Sequence, residues 1–138
     1  MNKVEQYFFS AGDSQFATEG LLPLLPLELI FQGQSLQVEG LLDTGATVNV
    51  LPFKAGQQLG AIWEPKLATL RLGGNLAQYK AQPLILFGKI GDFAPTRLAF
   101  AWTQAETVPL IPGQVNFFLE FDVCFYRSRQ IFEVQLKK

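Results

Sequence analysis

Histidine is absent from this 138-residue chain, and cysteine and methionine occur once each. Without histidine there is no Ser-His-Asp or Cys-His catalysis, and the common zinc-hydrolase ligand sets are missing too. The lone cysteine, Cys124, can form neither an internal disulfide nor a thiolate cluster, and its place in Phe121-Asp122-Val123-Cys124-Phe125 reads as a small buried hydrophobe. Charge is also scarce, at 17% of residues with a net of −1, and the basic residues are scattered. Arg127 and Arg129 and the Lys137-Lys138 end read as solvated positions, which leaves no nucleic-acid-binding stripe. Gly73-Gly74 is too short to cradle a phosphate, so no nucleotide site is expected. No cofactor and no metal are expected. Long apolar runs are missing as well. The most apolar stretch, residues 21–31, contains Pro23, Pro26 and Glu28 and is too short to span a bilayer. The first residues lack a cationic start followed by an apolar core, so the expectation is a cytoplasmic protein with no membrane contact. Any hydrolytic chemistry would have to come from carboxylates and water.

What the chain does have is apolar weight: 49% hydrophobic residues, including thirteen phenylalanines. For one small domain that is high, and it suggests a buried subunit interface, with a dense core as the alternative. Residues 1–20 show no clear period and read as an arm or irregular lead-in to a domain spanning 21–138. From Leu27 to Phe31 and from Leu36 to Leu42 apolar residues alternate around Gln32-Gly33-Gln34, a hairpin whose second strand delivers Asp43. Residues 53–59, closed by Gly60, read as a helical turn. Residues 68–72 and 76–87 read as strands around Gly73-Gly74-Asn75, and 97–103 and 108–111 as further strands. Phe117, Phe118 and Phe121 share one face of an expected helix over 115–121. Residues 123–126 and 131–136 form an expected terminal hairpin. Many short strands and one or two short helices predict an all-β, closed barrel-like domain.

Asp43-Thr44-Gly45 lies between Leu41-Leu42 and Ala46-Thr47-Val48-Asn49-Val50-Leu51. An acid walled by aliphatic residues is a costly setting for a charge, and it tends to be found where chemistry needs it. With two aliphatics before it and a small residue after it, the tripeptide has a chance frequency of roughly a few per thousand in a chain this long. A simple Asx turn between Asp43 and Gly45 is the plain alternative. A second element, Val108-Pro109-Leu110-Ile111-Pro112-Gly113-Gln114, leads into the helix candidate.

Leu-Leu-Asp-Thr-Gly-Ala followed by this hydrophobic-hydrophobic-Gly element resembles the retropepsin-like aspartic proteases of cellular or bacterial type, over roughly residues 27–136. The motif occurs once, as it does in members of that family that build one site from two identical chains. The resemblance implies a homodimeric endopeptidase acting on polypeptide substrates through a dyad of Asp43 and its symmetry mate. It makes Thr44, Gly45 and Ala46 supports of the active-site loop, and Gly113 and Gln114 the packing behind it. Thr44 would bond across the dimer axis, or act simply as a β-branched strand-end residue. Leu72, Gly73, Gly74 and Asn75 stand where the family carries its flap, though they read equally as an ordinary surface hairpin. The chain also departs from the pattern: Gln114 stands where many retropepsins have an arginine that ties the loop by an ion pair, and Pro112 replaces an aliphatic. The other readings are a non-catalytic peptide-binding or dimerisation domain of the same fold, and a small β-barrel for an apolar ligand.

Overall fold

Alternation decides which strands form and what they bury. In the computed structural model, which describes residues 3–11, 20–105 and 107–138, β1 (Glu5–Phe8) is followed by a hairpin of β2 (Leu24–Phe31) and β3 (Gln34–Leu41). Then come β4 (Asn49–Leu51), α1 (Phe53–Gln58), β5 (Leu70–Arg71), β6 (Lys80–Lys89) and β7 (Thr96–Thr103). The chain ends with α2 (Phe117–Glu120), β8 (Phe121–Tyr126) and β9 (Ile131–Leu136). Leu25, Leu27 and Leu29 of β2, Leu84 and Leu86 of β6, and Leu98, Phe100 and Trp102 of β7 are buried in one core, as period-two side chains on one sheet face must be. The registers Leu84↔Phe100 and Leu86↔Leu98 place these side chains opposite one another. None of the helices is long and apolar enough to cross a membrane, among the described residues.

The strands form a six-stranded sheet, ordered β3-β2-β6-β7-β4 with β5 on β6, and a separate sheet ordered β1-β9-β8. The expected closed barrel is therefore corrected to two open sheets. The reason lies in the segment that would join edges β3 and β4. Residues 108–111, expected as a strand, make only isolated bridges, Gly40↔Leu110 and Val50↔Ile111. Pro109 and Pro112 bracket this pair and supply no N–H, so a continuous ladder cannot grow in either direction.

Other expected elements shift at their ends. The β2–β3 hairpin forms in register from Leu24↔Leu41 to Phe31↔Gln34, and the terminal hairpin from Phe121↔Leu136 to Tyr126↔Ile131. Strand structure after the Gly-Gly turn resumes only at Lys80, because residues 74–79 satisfy their backbone locally: Leu76, Ala77 and Tyr79 N–H groups donate to Gly73, Gly74 and Leu76 at 2.9–3.2 Å. The helix expected over 115–121 is one turn, with Phe117 and Phe121 stacked at 4.9 Å in the core. Within the first twenty residues, β1 pairs with β9, and Tyr7 stacks on Phe132 at 5.4 Å. Residues 12–19 lie outside the described residues. Cys124 is exposed on β8 rather than buried; β8 is a sheet edge, and the alternation that buries Phe121 turns Asp122 and Cys124 outward.

Candidate active site

The hairpin ends where the Asp43 loop begins. The Asp43 N–H donates to the Pro112 carbonyl at 3.4 Å, and the Ala46 N–H donates back to the Asp43 carbonyl at 3.1 Å, closing a tight turn. Asp43 Oδ1 accepts the Gly45 N–H at 2.9 Å. This is the Asx-turn geometry, and it coexists with an exposed carboxylate that has no ion-pair partner among the described residues. A glycine at 45 lets that amide approach closely; a Cβ there would already stand 3.3 Å from Asp43 Oδ1. Thr44 is exposed beside it, and Ala46 is half-buried.

The second element packs directly behind this loop. The Gln114 N–H donates to the Ala46 carbonyl at 2.8 Å, and Val115 N–H to Thr47 at 2.9 Å. The Gln114 side chain reaches further and donates from Nε2 to the Thr44 carbonyl at 2.7 Å. The glutamine thus ties the loop by a neutral hydrogen bond. Gly113 fits because it has no side chain: a Cβ would lie 2.3 Å from the Val48 carbonyl oxygen and 3.0 Å from that of Ala46. Both are main-chain atoms with no rotamer to escape into.

A cleft of about 730 Å³ opens over the loop. Asp43, Gly45 and Ala46 line it, along with Val48, Val50 and Ile111. The Gly-Gly turn contributes Leu72, Gly73, Gly74 and Leu76. Leu72 is buried with Val50, Ala81, Ala101, Ala105 and Val108, while Leu76, Tyr79, Val48 and Ile111 are half-buried against that cluster. The structure therefore brings Asp43, Gly45 and Ala46 to one cavity with Leu72, Gly73 and Gly74. Gly113 and Gln114 stand behind the loop, outside the cleft lining, and Asn75 is placed by its backbone in the turn Gly74–Leu76. Asp43 is the one carboxylate among the described residues of the lining. No group of three or more His, Cys, Asp or Glu among the described residues could hold a metal ion.

Sequence reasoning missed Asn49 and Asn116. Asn49 is fully buried, and its side chain binds Gly113, Phe117, Ala99 and Asn116. A carboxamide inside Val48-Asn49-Val50-Leu51, a run otherwise fit for burial on both faces, was the available signal, because a buried amide needs four partners. Tyr79 and Thr107 also line the cleft and carried no signal.

The fold is similar to that of a solved structure of a retropepsin-like aspartic protease from Rickettsia conorii, with a TM-score of 0.62 and 15% sequence identity over 99% of this chain and 94% of that one. No protein-family model matches the chain, and no curated protein does. The likeness shows a mostly β, retropepsin-like fold.

Proposed function

We propose that this chain is an aspartic endopeptidase whose active site is completed by a second copy, each contributing one Asp43. The observation that carries the reading is the exposed Asp43 carboxylate, without an ion-pair partner among the described residues and bound by the Gly45 N–H, in the lining of a cleft that it shares with Val48, Val50 and Ile111. One carboxylate cannot act as base and acid at once. Two facing each other share a proton, because repulsion prevents both from ionising. The ionised partner then takes a proton from water as the water oxygen bonds to the scissile carbonyl carbon. The protonated partner gives its proton to the carbonyl oxygen. Collapse of the tetrahedral adduct breaks the C–N bond, and the amine leaves with a proton from the dyad.

Isologous pairing suits this need, since a two-fold axis brings the same loop from both copies together. Exposed apolar side chains on the segment that packs behind the loop, Val115, whose N–H donates to Thr47, and Leu119 on α2, support a surface that a second copy covers. An extended peptide in the cleft would meet Val48, Val50 and Ile111, which favours apolar residues beside the scissile bond. The Gly73-Gly74 turn would close over it and exclude water.

The test is a digest of an apolar-flanked peptide library by wild-type and Asp43→Asn protein prepared side by side, with the mass of each in solution. The expected result is a dimer in both cases and cleavage only by wild type. Its pH profile should be bell-shaped with an acid-side optimum, set by the singly protonated pair. Cleavage that survives Asp43→Asn refutes the reading. A verified wild-type dimer that cleaves nothing across the acid range would make this a peptide-binding or dimerisation domain instead.

A further inference from the structure

We propose that Asn49 and Asn116 are positioning residues for Asp43: an uncharged amide network that fixes the catalytic loop through Gly113 and keeps its alignment independent of pH. The inference rests on the reading of Asp43 as a catalytic carboxylate.

Asn49 opens β4 and uses its whole hydrogen-bonding capacity. Its Oδ1 accepts the Gly113 N–H at 2.8 Å and the Phe117 N–H at 3.3 Å. Its Nδ2 donates to the Ala99 carbonyl and to Asn116 Oδ1, both at 2.9 Å. Asn116 Oδ1 also accepts the Ala99 N–H at 3.0 Å, while its Nδ2 donates to the Arg97 carbonyl at 3.0 Å. Three separate segments (β7, the Gly113 element and α2) are thereby bolted to the strand that leaves the Asp43 loop. A carboxamide accepts two bonds on one side and donates two on the other in this place without any change of protonation.

The network reaches Asp43 in two steps. Gly113 is pinned by Asn49 and abuts Val48 and Ala46 with no room for a Cβ. Ala46 is held by the Gln114 N–H and itself closes the turn onto Asp43. A shift of Gly113 therefore moves the carboxylate. The titratable groups on the elements packed here do not enter the network: Arg97 of β7 lends only its carbonyl and has an exposed side chain, and Glu120 of α2 pairs with Lys137 at 3.1 Å. Asp43 itself takes its bond from Gly45. An ion pair in this place would fail as its carboxylate protonates in the acid range where a carboxylate dyad works. Amides do not titrate there.

Asn49→Asp tests this. The new carboxyl could accept from Gly113 and Phe117, but it would need a proton to satisfy Ala99 or Asn116, so burial and these partners would hold its pKa up. An acid whose folded pKa is raised costs nothing while both states are protonated and destabilises progressively above its ordinary pKa of about 3.9. The ratio of variant to wild-type kcat should therefore fall roughly a hundredfold between about pH 3.5 and pH 6.5, with KM changed less than about threefold. Should Asn49→Asp fail to fold, Asn116→Ser at its half-buried position should lower kcat about tenfold at unchanged KM. Superimposable pH profiles for Asn49→Asp and wild type, or an Asn116→Ser enzyme with wild-type kcat, overturn the inference. A wild-type dimer with no cleavage overturns the reading of Asp43 instead, and the inference falls with it.

Discussion

Gly113→Ala adds one methyl group at the point where the second element meets the Asp43 loop. The ideal Cβ would stand 2.3 Å from the Val48 carbonyl oxygen and 2.7 Å from its carbonyl carbon. A close carbon–oxygen contact is about 3.3 Å, so the two segments must separate by about 1 Å. They cannot separate freely, because the hydrogen bonds Gly113 N–H to Asn49 Oδ1 at 2.8 Å and Gln114 N–H to Ala46 at 2.8 Å hold them. Overpacking of a dense interior costs about 1–3 kcal/mol. Weakening these two hydrogen bonds adds about 1 kcal/mol each. The expected destabilisation is therefore about 3–5 kcal/mol, which for a domain of this size lowers the melting temperature by roughly 10–17 °C. Circular dichroism melts of wild type and Gly113→Ala at one pH and one protein concentration measure it. Because the displaced segment also carries Asp43, peptide cleavage on the proposed endopeptidase reading should fall roughly a hundredfold for the folded fraction. A variant that melts within about 2 °C of wild type would mean that the segments are not in contact as described. One that melts lower but cleaves at the wild-type rate would break the link between Gly113 and the carboxylate.

Gly56→Ala sets helix propensity against packing: alanine gains about 1 kcal/mol in a helix, but its Cβ would lie 2.2 Å from the Trp102 ring. That indole is fully buried and donates to the Phe53 carbonyl at 3.1 Å, so it cannot yield, and denaturant unfolding should show a net loss of about 1–2 kcal/mol; a gain would refute the contact. The Lys3 ammonium lies 2.6 Å from Asp92, holding that carboxyl below its ordinary pKa and raising its own. The carboxyl's contribution is present above the ordinary carboxylate range and lost as pH falls through its lowered value; the ammonium's is lost only as pH rises past the ordinary lysine range. Both groups are solvent-exposed, so Lys3→Met should leave the melting temperature at pH 7 almost unchanged, and a large drop would show that this pair anchors β1.

Local alternation made the two long hairpins legible, because a strand with one buried face repeats every second residue and its turn carries Gly33 or a polar tripeptide. The short helix was legible from its phenylalanines, but not its length. Phe121 continues the apolar spacing while its backbone already belongs to β8. The strand Glu5–Phe8 was not legible, since four residues of mixed polarity carry no period; β9 selects them by pairing, with Tyr7 and Phe9 on Phe132. Whether the sheets close was beyond local pattern too. It turns on Pro109 and Pro112 together, as a pair bracketing the two residues that would bridge β3 and β4. At the site, the Asp43 loop and the Gly113 element stood out as motifs because each needs particular residues: an acid, and glycines where main chains touch. The network joining them did not, because Asn49 and Asn116 lie 67 positions apart and only the folded chain brings their side chains to 2.9 Å. That division has a physical origin. Groups that meet the solvent or a reacting molecule are chosen for chemistry that shows in their own identity, whereas groups that hold them in place are chosen for partners supplied by distant segments. On the proposed reading the positioning falls to the carboxamides of Asn49, Asn116 and Gln114, with no charged side chain in the network among the described residues. Amides do not titrate, so a loop held this way would keep its geometry across the pH range in which carboxylates gain and lose protons.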